Sequence, residues 1–191
     1  MPQQPDRSIV LTSAKQMRVL AHPLRLRILS ELRVGGPRSV GGLSEIFDEA
    51  PGTLSYHLGK LAEFGFVEEA PELAADRRER WWRSVHEFTR IDPAAPDASP
   101  AERRASSAIR HQVIDVYSAT LHSAIDDAEA LPSEWADAAG SFDTVAFLTA
   151  AELADASAEL EAVLAKWRAR SDRDRDDTAA VQLIAHAIRR P

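Results

Sequence analysis

Residues 43–65 read LSEIFDEAPGTLSYHLGKLAEFG, and their pattern decides the fold of the first half of the chain. At about 100° per residue, Leu54, Leu58 and Leu61 fall on one stripe of a helix, with Ala62 at its edge. The opposite arc carries Gly52, Thr53, Tyr56, Gly59, Lys60 and Glu63, flanked by Ser55 and His57. One face is therefore apolar, and the other offers donors, acceptors and a cation to solvent. Pro51 suits a first helical turn, where a missing N–H is not needed, and Gly65 suits the position after the last turn, so the helix spans about 50 to 65. Just upstream, Leu43, Ile46 and Phe47 give a shorter helix its apolar side, and Asp48-Glu49-Ala50 makes a tight connection. A short helix, a turn and a polar-faced helix form a helix-turn-helix.

Outward from this motif the chain continues in kind. Residues 1–11 are polar with two prolines, and Ile9, Val10 and Leu11 are apolar enough to dock as a short extended piece. Thr12 or Ser13 caps a helix to about Ala21, with Met17, Leu20 and Ala21 inward. Pro23 opens a second helix in which Leu24, Ile28, Leu29 and Leu32 recur at helical spacing, and Gly35-Gly36-Pro37 ends it before Ser39 caps the next. After Gly65, FVEEAPEL, the polar turn AADRR and ERWWRSV form a hairpin over 66–85, whose tip carries Arg77 and Arg78 with Arg80 beside them. Trp81 and Trp82 are adjacent, so on a strand they face opposite sides. Three helices followed by a basic hairpin make a winged helix-turn-helix, in which the wing meets phosphates or the minor groove.

The stretches MRVLAHPLRLRILSELR, GTLSYHLGKLAEFGFVEE and RRERWWR, within residues 13–90, resemble the ArsR-type winged-helix transcriptional regulators. The resemblance implies a regulator, a repressor by expectation, that holds double-stranded DNA as a homodimer on a palindromic operator. It makes 50–65 the recognition helix, with Ser55, Tyr56 and His57 toward DNA. Gly52, Thr53 and Lys60 on the helix and Arg77, Arg78 and Arg80 on the wing complete the expected DNA-binding set. Two departures stand out: Ala50 occupies the position where a side-chain cap is preferred, and no cysteine is present, so the thiolate ligands of the metal sensors in this family are absent.

The formal net charge of −7 is unevenly placed. Residues 1–92 hold 13 cations and 13 carboxylates, so the whole acidic excess lies in 93–191 and the field near the motif can still be positive. No apolar run is long enough to span a membrane and MPQQPDRSIV lacks the order of a signal peptide, so a soluble cytoplasmic protein is expected. No nucleophile–base pair or phosphate-binding glycine loop occurs, so no enzyme, catalytic residue or cofactor is expected. A winged helix that binds protein instead of DNA is the alternative, and the acidic excess fits it.

The fold expected is mainly α (α+β), with domains at 1–92 and 93–191. DPAAPDASP (92–100) is the linker. From about Ala101 to Leu131 a long helix carries Ile109, Val113, Val116, Tyr117 and Leu121 on a broad apolar side. Since the helix after the wing commonly pairs with its symmetry mate in the ArsR-type regulators, these residues are the expected dimerisation seam. On the opposite side His111, Asp115, His122 and Asp126 share an arc, but His111 and His122 are about 16 Å apart along the axis, too far for one ion, so no metal site is expected. Beyond a connector at 132–142, DTVAFLT reads as a strand, Thr149 with Glu152 as a capping box opening a helix to about Arg170, and AVQLIAHAI as a strand pairing with 143–148 or else a last short helix; the strand is preferred because the stretch is closer to alternation, giving a small strand–helix–strand unit. Trp135, Phe142, Phe147 and Trp167 are candidates to line a pocket for a small apolar effector.

Overall fold

A computed structural model describes residues 8–76, 79–91, 95 and 97–190. They fall into two compact units, 1–131 and 132–191. In the first, β1 (Ser8–Val10) leads to α1 (Ala14–Leu20) and α2 (Pro23–Val34). Ser13 caps α1 by accepting a hydrogen bond from the Gln16 amide at 3.2 Å, and Pro23 starts α2 after an extended His22. Then come β2 (Arg38–Ser39), α3 (Val40–Phe47) capped by Ser39, and α4 (Pro51–Glu63). Between α3 and α4, Asp48 adopts φ 53° and the Ser44 hydroxyl donates to the Glu49 carbonyl at 2.6 Å, which closes the turn. Gly65, at φ 73°, then reverses the chain out of α4 into the wing.

The wing is β3 (Val67–Glu69) antiparallel to β4 (Trp81–Ser84), in a register that sets Val67 opposite Ser84 and Glu68 opposite Arg83. The two residues of β2 add to the other edge of β4, giving the order β2-β4-β3. Trp82 is buried and Trp81 half-buried on the other side, as adjacent strand positions require. A separate pairing joins β1 in parallel to β5 (Phe88–Arg90). So 9–11 do dock in extended form, and Leu11 enters the core.

The core gathers Leu20, Ile28, Leu29, Leu43, Leu54, Leu58, Leu61, Phe66 and Ile109, each at most 1% exposed. Burying such side chains contributes roughly 1.5–3 kcal/mol apiece. Ile46 does not join them and stays 46% exposed, because the eight-residue α3 seats only its Leu43 line on α4 while Phe47 is half-buried beneath Arg27. Arg33 ties α2 to the strand after the wing: its Nε donates to the His86 carbonyl and its Nη2 to the Thr89 hydroxyl, both at 2.9 Å. Burial pushes its pKa down to about 10, which leaves it charged at neutral pH.

The expected linker at 92–100 lies partly outside the described residues; its end, Ser99, caps α5 (Pro100–Asp126) in a capping box with Glu102. The helix ends before the expected Leu131, passing into a single 3₁₀ turn. It packs on α1 and α2 through Ala105, Ser106 and Ile109, so it belongs with the winged helix and the unit boundary falls at 131/132 instead of 92/93. Two of the residues expected at the seam are taken up by this core. Ile109 is buried inside its own chain and Val113 packs against the same core, while Val116 and Tyr117 are half-buried. The apolar line left open is Ile114, Leu121 and Ile125, exposed by 52%, 50% and 70%.

In the second unit, α6 (Ser133–Ala138) precedes α7 (Ala150–Arg168), which starts with the expected capping box: the Thr149 amide donates to Glu152 at 2.7 Å. The strands expected at 143–148 and 179–188 are not formed; both stretches lack regular structure. Their alternation supplies side chains for one face only, and two strands without a covering layer are marginal in water. Nor do the aromatic residues converge. Phe142 and Phe147 stand almost wholly in solvent and Trp167 is half exposed, so they enclose no effector pocket.

Candidate nucleic-acid interface

Three leucines, Leu54, Leu58 and Leu61, fix the rotation of α4 by vanishing completely into the core. Gly52, Thr53, Tyr56 and Gly59 consequently face solvent, with Ser55 and Lys60 half-exposed beside them. Tyr56 projects furthest, at 61% exposure. A Cβ built at Gly52 or Gly59 would meet nothing within 4 Å, so the fold itself does not require glycine there. In a helix interior a glycine costs about 1 kcal/mol relative to alanine, and what it leaves is bare backbone on the outer face. Lys60 is paired with Glu63 at 2.8 Å, and that carboxylate holds its pKa above the usual lysine value.

His57 departs from its expected place toward DNA. It is 8% exposed and turned inward, its ring centroid 4.5 Å from that of His22 and 5.2 Å from that of Tyr56. The helical wheel explains the difference, since His57 lies only about 60° from Leu54 and 40° from Leu61. Nδ1 of both histidines and Nε of Arg25 have no hydrogen-bond partner among the described residues. His57 therefore seats α4 on the start of α2. Arg25, outside the expected DNA-binding set, sits three residues beyond His22 and interacts electrostatically with Tyr56. The i, i+3 spacing from His22 was the available signal.

Burial, then the Arg25 charge, lowers the His22 pKa; burial, then His22 and Arg25, lowers that of His57 against a weaker opposing pull from Glu49. His86 shifts the same way, through burial and Arg33. Because the folded values lie below the ordinary 6.5, neutral imidazoles favour the fold. That stability is fully present above pH 6.5 and is lost as pH falls through the folded pKa values. The melting temperature should drop between about pH 7.5 and 5, and His57→Phe, which keeps a ring in the stack but cannot titrate, should flatten the drop. Equal slopes for the two proteins would place the acid sensitivity elsewhere.

On the wing, Arg77 and Arg78 lie outside the described residues. Arg80 bonds to Glu69 and stacks over Trp82 at 5.1 Å, and Arg83 bonds to Glu68 at 2.7 Å and also to Glu72. The described cations of the hairpin are thus matched by its own acids. His111 and His122 are both exposed on α5.

A family model described as a helix-turn-helix domain matches residues 20–70, from the end of α1 through β3. The crystal structure of a mutant MarR from E.coli is similar at 17% identity and a TM-score of 0.32, covering 78% of this chain and 88% of that chain. No curated protein matches. Helix order, the turn at Asp48, the three-stranded wing sheet and the family match together make residues 8–90 a winged helix-turn-helix.

Proposed function

We propose that the protein is a sequence-specific DNA-binding transcriptional regulator of the ArsR type, a cytoplasmic repressor that holds a palindromic operator as a homodimer. The observation that carries this reading is the outer face of α4, where Thr53, Ser55 and Tyr56 project between two bare glycines on a helix locked by three buried leucines. A rigid helix with short polar groups on one side fits the major groove, which displays a distinct donor and acceptor pattern for each base pair. Lys60 and the wing residues Arg77, Arg78 and Arg80 supply cations toward phosphates. No helix among the described residues is long and apolar enough to cross a membrane.

The ion pairs of Arg80 and Arg83 with wing carboxylates favour a second reading, a winged helix that binds protein. Gel-shift titration against the DNA upstream of the protein's own gene separates the two. On the DNA reading, Ser55→Ala with Tyr56→Ala weakens operator binding alone, by about 1–3 kcal/mol for each good base interaction removed. Arg77→Ala with Arg78→Ala weakens operator and random DNA alike and lowers the salt slope by about 2. Absence of any retarded band at low salt would leave the protein-binding reading standing.

A further inference from the structure

Beside α4 and on the wing, Lys60 is answered by Glu63, Arg80 by Glu69, and Arg83 by Glu68 and Glu72. Arg25 differs from all three. Among the described residues its guanidinium has no carboxylate partner, and its Nε is enclosed without a hydrogen bond. Its place is fixed by α2, which packs on α4 and seats the His22 ring 4.5 Å from that of His57. Arg25 stands three residues further along α2, and its charge is felt at Tyr56, His57 and Lys60. At about 100° per residue, His57 lies about 40° from Thr53 and about 60° from Lys60 but about 160° from Ser55. Half-buried Arg25 therefore sits on the flank of α4 shared by Thr53 and Lys60, next to the outer face.

We propose that Arg25 grips one backbone phosphate of double-stranded DNA on that flank and so sets how α4 lies in the groove. A major groove is about 12 Å wide, and a helix with its side chains is about 10–12 Å across. A seated α4 therefore brings sugar-phosphate backbone along both its flanks. A guanidinium there donates two parallel N–H groups to one phosphate. Lys60, Arg80 and Arg83 must loosen a carboxylate to do the same, which offsets part of the gain, whereas Arg25 gives up no partner. Phosphate bonds position a protein on the duplex and carry no sequence information, so Arg25 holds the register in which Ser55 and Tyr56 read. This inference rests on the DNA-binding reading and adds to its surface a residue of α2, outside the helix-turn-helix pair.

The test titrates the full-length protein, at several salt concentrations, against the DNA upstream of its own gene and against a random duplex of the same length. Arg25→Gln should weaken both about tenfold and lower the slope of log K against log salt by about 0.9 for each protomer bound. Arg25→Lys should keep the slope. Arg83→Gln removes a cation already matched by two acids and should lower the slope less than half as much. Thermal melting follows the fold, with Arg25→Met as a second neutral variant. If both neutral variants fail to fold while Arg25→Lys folds, the charge serves the fold and the proposal is overturned. Loss of upstream-DNA binding alone, with the salt slope intact, would make Arg25 a support for Tyr56 or a reader of bases and would also overturn it. Unchanged affinity and slope in Arg25→Gln, beside a loss of operator binding in Ser55→Ala with Tyr56→Ala, would overturn this inference and leave the DNA-binding reading standing. If the unmodified protein retards no DNA at low salt, that reading fails too.

Discussion

Phe66→Ala should lower the stability of the folded protein by about 4 kcal/mol, within the usual range for deleting a buried aromatic ring. Phe66 is the largest of the side chains that are fully buried, and it sits where α4 hands over to the wing. Its amide donates to the Leu61 carbonyl at 3.0 Å and its carbonyl accepts from the Val85 amide at 3.1 Å, so the backbone at Phe66 is held on both sides. A backbone held that way cannot shift into the space a ring leaves, which places the cost toward the high end. Against a total of roughly 5–15 kcal/mol for a domain, such a loss leaves a marginal fold. Urea denaturation measures it, and Phe66→Leu should recover more than half. A cost for Phe66→Ala below about 1.5 kcal/mol would mean that the packing around the ring is loose.

Ile114→Glu should convert the protein to a monomer and reduce operator affinity about a hundredfold. Half of the Ile114 surface is already in solvent, so the substitution leaves the winged-helix core untouched. In a homodimer joined through the open line of Ile114, Leu121 and Ile125, it removes apolar packing from both copies and adds a carboxylate to each side. The affinity falls because linked half-sites gain roughly 10²–10⁴ over single ones, and that gain vanishes when the link is cut. Sedimentation and gel shift measure the two effects. A variant that remains dimeric, with full operator affinity, would move the seam off this face.

The sequence made some parts of this molecule legible and hid others for identifiable reasons. Leu54, Leu58 and Leu61 recur at helical spacing on a single packed face, so periodicity located α4 to within two residues. Ser13, Ser39 and Thr149 are local devices, each satisfied by an amide three residues on, and were readable for that reason. The parallel pairing of β1 with β5 joins Ser8 to Phe88, far apart in the chain, and nothing local in SIV or FTR announces it. The α5 stripe is wide enough for two partners; only the packing of α1 and α2 decides that Ile109 serves the chain itself while Ile114 is left over. His57 shows the same limit at the site. Its place at the edge of the buried stripe let it point either way, and the His22 ring drew it inward.

The unbroken course of α5 bears on how operators would be told apart. For 27 residues it contains no glycine, and its one proline occupies the first position, where it introduces no kink. A helix of about 40 Å without a hinge acts as a measuring rod. In the proposed dimer it would hold the two DNA-reading helices at a fixed separation, so two good half-sites set apart by a few extra base pairs would not be mistaken for an operator, however well each one matched.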